Sequence, residues 1–340
     1  MRTPIGLAMA ALMTFAAVQA FAPRQTAALA ATRLPHDRLQ FNTLVQTKAG
    51  LIAAGELGYV LYSINQGKEW QRAAVPMDRQ TLINQITMAA DGLNGIAVGH
   101  EGWIMRTSDG GLSWKEVAFD EHDGVPLMSV AHLPSGIWIA VGAFGRALQS
   151  TDDGTTWKTF SFESSAVQDK HLNRIVGSSD GQHWLVVGER GLVLRSDDGG
   201  NHWKEVTPFY TGSLYNAVAL PTGGWLVYGM RGNAFVNSAE PTKWTTWTKS
   251  NIPAPISFFS HALQSDGSLL LAGQGNMLAV SKDGGLNFSL THTNGRATLT
   301  DLQIGPNGEG WLASDAGLQR WPAQETPAQS LPTKTDGSTR

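Results

Sequence analysis

Three arginines stand at similar places in three successive stretches of the chain. Arg190 and Arg231 each lie inside a Gly-x-x-Gly segment, and Arg146 directly follows one. A guanidinium group binds planar anions through two parallel hydrogen bonds. The three side chains therefore predict a patch for a carboxylate, a phosphate or an acidic peptide. The alternative is that they pair with neighbouring acids such as Glu189 and only solvate the surface.

Four other side chains occupy these segments or the equivalent one in the preceding repeat. The predicted partner-binding residues are therefore Arg146, Arg190, Arg231, His100, Glu101, Phe144 and Glu189. We predict no catalytic residue, metal or cofactor, because the chain has no cysteine and its nine histidines form no His-x-His or His-Glu-x-x-His motif. The formal net charge of -3 argues against a nucleic-acid partner.

A repeated motif, Ser/Thr-x-Asp-x-Gly-x-x-Trp, indicates the elements that must position these residues. Five segments fit it without gaps, and the tryptophans of the first four are 44, 43 and 46 residues apart. The motif residues are Ser63, Asn65, Gly67 and Trp70; Thr107, Asp109, Gly111 and Trp114; Ser150, Asp152, Gly154 and Trp157; Ser196, Asp198, Gly200 and Trp203; and Ser281, Asp283, Gly285 and Phe288.

We interpret each motif as the turn between the third and fourth strands of a four-stranded unit. Its hydroxyl and carboxylate can accept backbone N–H groups, its glycine lets the chain reverse, and its tryptophan packs between sheets. Calcium binding is the alternative, but one aspartate per turn supplies too few oxygen ligands. The motif is therefore predicted to be structural.

The Gly-x-x-Gly segments end five residues before each motif, with Gly273–Asn276 as the variant in the sixth unit. Apolar runs before them and alternating residues after them predict strand, turn, strand. Because the two central residues are poor at positive φ, we expect a type I turn followed by one left-handed residue, the second glycine or Asn276.

Counting units predicts an all-β, seven-bladed β-propeller of four-stranded antiparallel blades over residues 31–321. The fifth motif is degraded, with Asn237, Ala239, Pro241 and Trp244 at its key positions. The seventh unit, 297–321, lacks a motif and a fourth strand. Residues 31–39 are the candidate to supply that strand and close the ring.

The two ends of the chain are predicted to lie outside the propeller. Residues 1–30 read as a signal peptide cleaved after Ala20 or Ala30, with an uncleaved membrane anchor as the alternative. Residues 322–340 read as a flexible tail. The mature protein is therefore expected in the periplasm or secreted.

Two segments carry a resemblance to a known family. Val98–Trp114 (VGHEGWIMRTSDGGLSW) and Val187–Trp203 (VGERGLVLRSDDGGNHW) resemble the photosystem II stability and assembly factors, which are BNR (Asp-box) propellers. The resemblance covers about residues 38–321. It implies a non-enzymatic, exported propeller that binds a membrane-protein complex or an exported polypeptide; we expect a monomer at most peripheral to the membrane. The family's arginines near these turns are only partly present here.

Two alternatives to a photosystem partner stay open. One is an accessory role with an RND-type exporter. The other is a sialidase-like glycoside hydrolase, for which Arg33-Leu-Pro35 resembles an arginine motif and Tyr210 is a tyrosine without an evident acidic partner. In a four-stranded propeller the Gly-x-x-Gly turns share one face with the connections between blades. We therefore expect function on that face and the Asp-box turns on the other.

Overall fold

The computed structural model describes residues 6, 8–9, 11–16, 36–75, 79–237, 244, 246–293 and 295–322. The chain divides into two compact units, Met1–Leu34 and Pro35–Arg340. Residues 11–16 of the first unit are helical, and no helix among the described residues has the length and apolar character needed to cross a membrane. The predicted cleavage sites, residues 31–35 and the tail beyond residue 322 lie outside the described residues.

Seven antiparallel sheets make up the second unit, as predicted. The first four blades have four strands each. They are β1 Phe41–Gln46, β2 Leu51–Gly55, β3 Val60–Ser63 and β4 Gln71–Arg72; β5 Ile83–Met88, β6 Gly95–Gly99, β7 Ile104–Thr107 and β8 Lys115–Ala118; β9 Leu127–His132, β10 Trp138–Gly142, β11 Ala147–Ser150 and β12 Lys158–Thr159; and β13 Leu172–Gly177, β14 Trp184–Gly188, β15 Val193–Ser196 and β16 Lys204–Glu205.

Blades 5 and 6 are also four-stranded, whereas blade 7 has three strands among the described residues. They are β17 Leu214–Ala219, β18 Trp225–Gly229, β19 Ala234–Asn237 and β20 Trp247–Lys249; β21 Phe258–Leu263, β22 Leu269–Gly273, β23 Met277–Ser281 and β24 Ser289–His292; and β25 Leu299–Ile304, β26 Gly310–Ser314 and β27 Gly317–Trp321. Short one-turn segments lie at Glu56–Gly58, His100–Gly102, Ala143–Gly145, Ser165–Val167, Glu189–Gly191, Met230–Gly232 and Gln274–Asn276.

The second strand of each of the first six blades is buried at every residue, on both faces of its sheet. These strands are accordingly near-continuous apolar runs, such as the Trp184-Leu-Val-Val sequence of β14. Core clusters form between neighbouring sheets; one joins Val141 and Leu172 across blades 3 and 4. Packing of sheet against sheet thus holds each blade at its place in the ring.

Closure of the ring occurs directly between blades 7 and 1. The Leu44 N–H donates to Asp301 Oδ2 at 2.7 Å, and the Trp311 indole donates to the Gln66 carbonyl at 3.1 Å. Of residues 31–39, which were predicted to supply the closing strand, the structure describes 36–39, and none of these four is in a strand. Residues 36–38 form a turn, and the His36 carbonyl accepts a hydrogen bond from the Leu318 N–H of β27 at 2.8 Å.

The five turns that carry the Ser/Thr-x-Asp motif, which we call the box turns, have the predicted hydrogen bonds. In the third blade Ser150 Oγ accepts the Gly154 N–H at 2.9 Å, and Asp152 Oδ1 accepts the Thr156 N–H at 2.9 Å. Hydrogen bonds from Thr156 and Ser150 lower the pKa of Asp152 from 3.8 to about 2. The Trp157 indole donates to the Gly154 carbonyl at 3.1 Å, which fixes the ring over the turn.

In blade 5 the residues that pair between the third and fourth strands lie three positions further apart along the chain than in a blade with a box turn, and the predicted aromatic residue of the degraded motif was wrong. Asn237 is the strand partner of Trp247. The Trp247 indole donates to the carbonyl three residues earlier, at 3.2 Å, as box tryptophans do. Trp247 therefore takes the box position, while Trp244 is a second buried aromatic under Arg195. Sequence alignment without gaps could not reveal a three-residue insertion. Ala239 and Pro241 lie outside the described residues.

Candidate functional site

The turns between second and third strands differ from the predicted type. In blades 1 to 5 the third residue of Gly-x-x-Gly is left-handed as well as the fourth, as with Arg190 at φ 53° and Gly191 at φ 69°. The Leu192 N–H donates to the Glu189 carbonyl at 3.0 Å. This is a type I′ turn, and its two central residues lie one position later than predicted. A type I′ turn is favoured here because its strong twist matches that of the flanking strands.

This geometry places one side chain at the apex of each turn. The apex residues of the first five blades are Leu57, Glu101, Phe144, Arg190 and Arg231, and Gly275 takes the place in blade 6. A non-glycine residue pays a conformational cost in this region. The five apex residues nevertheless share this backbone conformation, although their side chains are aliphatic, acidic, aromatic and basic.

Backbone hydrogen bonds show that these turns and the connections between blades lie on one face, as predicted; we call it the turn face. The Asp120 N–H donates to the Glu101 carbonyl at 2.8 Å, and the Gly145 N–H donates to the Lys170 carbonyl at 2.7 Å. In blade 4 the Gly191 N–H donates to the Gly212 carbonyl at 2.7 Å. In these three blades the connection is thus tied to the turn of the blade it leaves.

Arg146 does not belong with the other two arginines. It follows its turn rather than occupying the apex, and its Nη1 contacts Asp120 Oδ2 at 2.9 Å in a half-buried ion pair. The hydrogen bond from Arg146 lowers the pKa of Asp120 from 3.8 to about 2. The apex of blade 3 is Phe144 instead, so the predicted patch of three arginines reduces to Arg190 and Arg231.

Phe144 is the first of a series of contacting residues that extends to blade 4. Its ring is 65% exposed and meets the His171 ring edge-on, with centroids 5.1 Å apart. The His171 N–H donates to Glu189 Oε2 at 3.0 Å. Glu189 is therefore engaged with His171 rather than with an arginine.

Arg190 and Arg231 lie on either side of the connection that carries Tyr210. Both are exposed, and neither side chain has a hydrogen-bond or ion-pair partner among the described residues. The Tyr210 ring packs 5.2 Å from Phe235, which follows the Arg231 turn. Burial and nearby Tyr215 raise the pKa of Tyr210, whereas the charge of Arg231 opposes the rise.

Two aromatic residues that the sequence analysis did not select complete this region. Tyr215 and Phe259 stack with centroids 5.2 Å apart, and burial together with the charge of Glu189 raises the pKa of Tyr215. In four other blades the equivalent bulged residue of the first strand donates to a carbonyl of the next blade; Asn84, for example, donates to Leu127 at 2.8 Å. An aromatic at this polar position is the signal that could have identified them.

Together these side chains form a continuous region, which we call the blade 3–6 surface. Its members are Phe144, His171, Glu189, Arg190, Tyr210, Tyr215, Arg231 and Phe259. His100 and Glu101 lie one blade away, His100 exposed and Glu101 half-buried, without side-chain hydrogen bonds to described residues. No group of three metal-ligating side chains occurs among the described residues. The surface thus offers cations and aromatic rings.

Comparison with known families identifies the relatives of this chain. A family model described as photosynthesis system II assembly factor YCF48 matches residues 62–319. The chain belongs to this family. The match spans the five box turns, the turn-face turns of blades 2 to 6 and the whole blade 3–6 surface, so the resemblance read from two segments of sequence is confirmed. A search of curated proteins finds no match.

Solved structures with the same fold include members of the family. "YCF48 bound to D1 peptide" is 16% identical with a TM-score of 0.66, over 84% of this chain and 93% of that one. YCF48 from Cyanidioschyzon merolae is 15% identical with a TM-score of 0.66, over 84% and 95%. Streptogramin B lyase is 12% identical with a TM-score of 0.68, over 84% and 94%. At these identities the likeness shows the seven-bladed fold.

Proposed function

We propose that this protein is a non-enzymatic scaffold that acts outside the cytoplasm and binds a segment of a membrane protein, assisting the assembly or stability of its complex. The observation that carries the proposal is the blade 3–6 surface. It joins an exposed apolar ring to two exposed arginines without partners among the described residues. Membership of the YCF48 family supports an assembly role.

The chemistry of the surface favours an extended polypeptide with an acidic residue near an apolar one. Arg190 and Arg231 can each hold a carboxylate through two hydrogen bonds, and Phe144 and the Tyr215–Phe259 pair can pack against an apolar or aromatic side chain. The solved relative described as YCF48 bound to D1 peptide supports this type of ligand.

The test reverses the two free charges. The Arg190→Glu/Arg231→Glu variant should lose capture of its membrane-protein partner from detergent-solubilised membranes of the source organism by about tenfold or more. Its melting temperature should stay near that of the unmodified protein, because both side chains are exposed and neither has a hydrogen-bond or ion-pair partner among the described residues. Arg146 is left unchanged since its ion pair with Asp120 contributes to the fold.

The matched control is Lys158→Glu/Lys204→Glu, which makes the same change in net charge on exposed outer strands. It should capture the partner as well as the unmodified protein does. Mass spectrometry then identifies the captured protein: photosystem subunits support the photosystem role, and an RND-type exporter supports the alternative partner. Equal capture by the Arg190→Glu/Arg231→Glu variant contradicts the proposed site.

The proposal excludes glycoside hydrolysis. A panel of chromogenic glycosides should give no turnover, whereas turnover abolished by one carboxylate substitution would establish an enzyme. It also places the protein outside the cytoplasm, so cell fractionation should recover it there with its N-terminal segment removed. Recovery of the full-length chain from the cytoplasm would reject that location.

A further inference from the structure

The central channel of the ring is lined by a polar position that recurs in all seven blades. Each first strand carries a bulge at its second residue, and the residue after the bulge is polar. These residues are Thr43, Gln85, Ser129, Arg174, Asn216, Ser260 and Asp301. The repeat at one structural position indicates a shared role.

In four blades that role is to accept a backbone hydrogen bond from the next blade, whereas Asn216 and Ser260 donate to the next blade instead. The Val130 N–H donates to Gln85 Oε1 at 2.8 Å, and the Ile175 N–H donates to Ser129 Oγ at 3.1 Å. Thr43 accepts the Ile86 N–H at 3.2 Å, and Asp301 accepts the Leu44 N–H at 2.7 Å. Four junctions between blades are therefore linked in the same way.

Arg174 occupies this position in blade 4 and cannot perform the role. A guanidinium group has five N–H donors and no acceptor. The N–H of Ala217 in the next blade is instead accepted by Asn216 Oδ1 at 2.8 Å. The Arg174 Nε is inaccessible to solvent and has no hydrogen-bond partner among the described residues. The arginine therefore contributes nothing to the link between blades that its equivalents provide.

Arg174 borders two spaces within the channel. The larger, of about 870 Å³, extends past Gln85, Ile175, Val176 and Trp184. The smaller, of about 330 Å³, extends past Thr43, Ser260 and Asp301. His261 borders both spaces as well. A cavity of this size, with apolar walls and one unpaired cation, has the usual composition of a small-molecule site.

The charge of Arg174 has no close counter-ion among the described residues. Asp301 makes no ion pair with it within 4.0 Å. The Asp301 carboxylate is engaged by the Leu44 N–H, the Leu302 N–H and Ser260 Oγ. His261 adds no second charge at neutral pH, because burial and then Arg174 lower its pKa to about 3. Arg174 is half-buried, and the charge of Asp301 favours its protonated form only from beyond ion-pair distance. A bound anion would therefore add a direct partner for a cation that burial disfavours.

We propose that the central channel binds a small organic anion whose carboxylate is held by the Arg174 guanidinium group. The two terminal nitrogens of the guanidinium group, which unlike Nε are not sealed from solvent, supply the two parallel donors that a carboxylate matches. Apolar side chains such as Val176, Trp184 and Val218 enclose the remainder of the ligand. The carboxylate can come from a free organic acid or from the C-terminus of a peptide.

The experiment is calorimetric titration of the full chain with defined probes. These are benzoate, acetate, inorganic phosphate, and the tripeptide Gly-Gly-Phe with either a free or an amidated C-terminus. Saturable one-to-one binding of benzoate is expected, and Arg174→Gln should weaken it about tenfold or more because a charge-assisted pair of hydrogen bonds is lost. Binding of the free tripeptide but not its amide, with benzoate silent, assigns the carboxylate to a peptide terminus.

Glutamine is chosen because Gln85 already serves as the acceptor at the equivalent position. In anion-free buffer, Arg174→Gln should melt at the same temperature as the unmodified protein or higher. The control Lys204→Gln removes one positive charge from the outer strand of the same blade and should leave the benzoate affinity unchanged. Absence of saturable binding by every probe, or equal affinity in Arg174→Gln, overturns the proposal. A lower melting temperature of Arg174→Gln with unchanged affinity shows that the arginine is structural.

Discussion

Both faces of the propeller carry short turns, but the side chains of these turns differ between the faces in whether they make hydrogen bonds. In a box turn the side chains are engaged: Asp152 and Ser150 accept backbone N–H groups, and Trp157 covers the turn. In the turns of the opposite face the backbone is equally constant, but the apex side chains make no hydrogen bond or ion pair with any residue that the structure describes. Repetition therefore marks the residues that build the fold, and variation on a constant backbone marks those free to bind.

The largest effect is expected at a box glycine. Gly111 has φ 92°, and an added Cβ would lie 1.8 Å from the Ile52 Cδ1 atom in the core. Gly111→Ala should lower the free energy of unfolding by about 3 kcal/mol, from backbone strain together with overpacking. The control is Gly284→Ala at φ 73°, where no heavy atom lies within 4 Å of the new Cβ. It should cost about 1 kcal/mol. Equal losses in urea denaturation would remove the packing explanation.

A smaller, pH-dependent effect is expected at a box carboxylate. The pKa of Asp152 is lowered from 3.8 to about 2 in the folded state, so its stabilising effect is complete above the unfolded value and disappears as the pH falls through about 2. Asp152→Asn should therefore melt below the unmodified protein near neutral pH, and the difference should close under acid conditions. Asn65 already lacks the charge in blade 1, so Asn65→Gln serves as a control without this pH dependence. A difference that persists at acid pH would contradict the assignment.

The smallest effect is expected at an apex of the opposite face. Phe144 is left-handed at φ 53° and 65% exposed. Phe144→Gly should relieve the strain, partly offset by greater freedom of the unfolded chain, and raise the free energy of unfolding by about 0.5 kcal/mol. Phe144→Ala loses the same ring but keeps the Cβ, so it should not be stabilising. If glycine destabilises the protein as alanine does, the apex side chain contributes to the fold and the contrast between the faces weakens.

The sequence allowed the blades to be counted because each carries its own turn chemistry. The box hydrogen bonds follow directly from residue types, as do the three strands that residues 297–321 contribute to blade 7, whereas the fourth strand predicted from residues 31–39 was not found among the described residues. The turn type was wrong because the central residues were judged by their own poor preference for positive φ, whereas the twist of the flanking strands decides it. Trp244 was assigned in place of Trp247 because a local insertion shifts the register without changing the pattern.

Residues of the candidate sites were harder to predict because their neighbours come from other blades. Arg146 pairs with Asp120, which lies 26 residues away in a connection of no fixed pattern. Tyr215, Phe259 and Arg174 become visible only when the first strands are superposed. At these positions of the first strand, an aromatic residue or a cation replaces the polar residues that link neighbouring blades elsewhere in the ring. Such departures from a repeat carry the functional signal.

The junction between blades 7 and 1 also bears on how the molecule folds. The hydrogen bond from Leu44 to Asp301 joins residues 257 positions apart, so it can form only after a loop of nearly the whole propeller has closed. Closure over such a distance carries a large entropic cost and slows folding. Each of the seven sheets is built from consecutive strands, and six of the seven junctions join blades that are neighbours in sequence. The junction between blades 7 and 1 must wait until both ends of the propeller have formed. We expect amide protons there, such as that of Leu44, to exchange by opening of this junction before global unfolding.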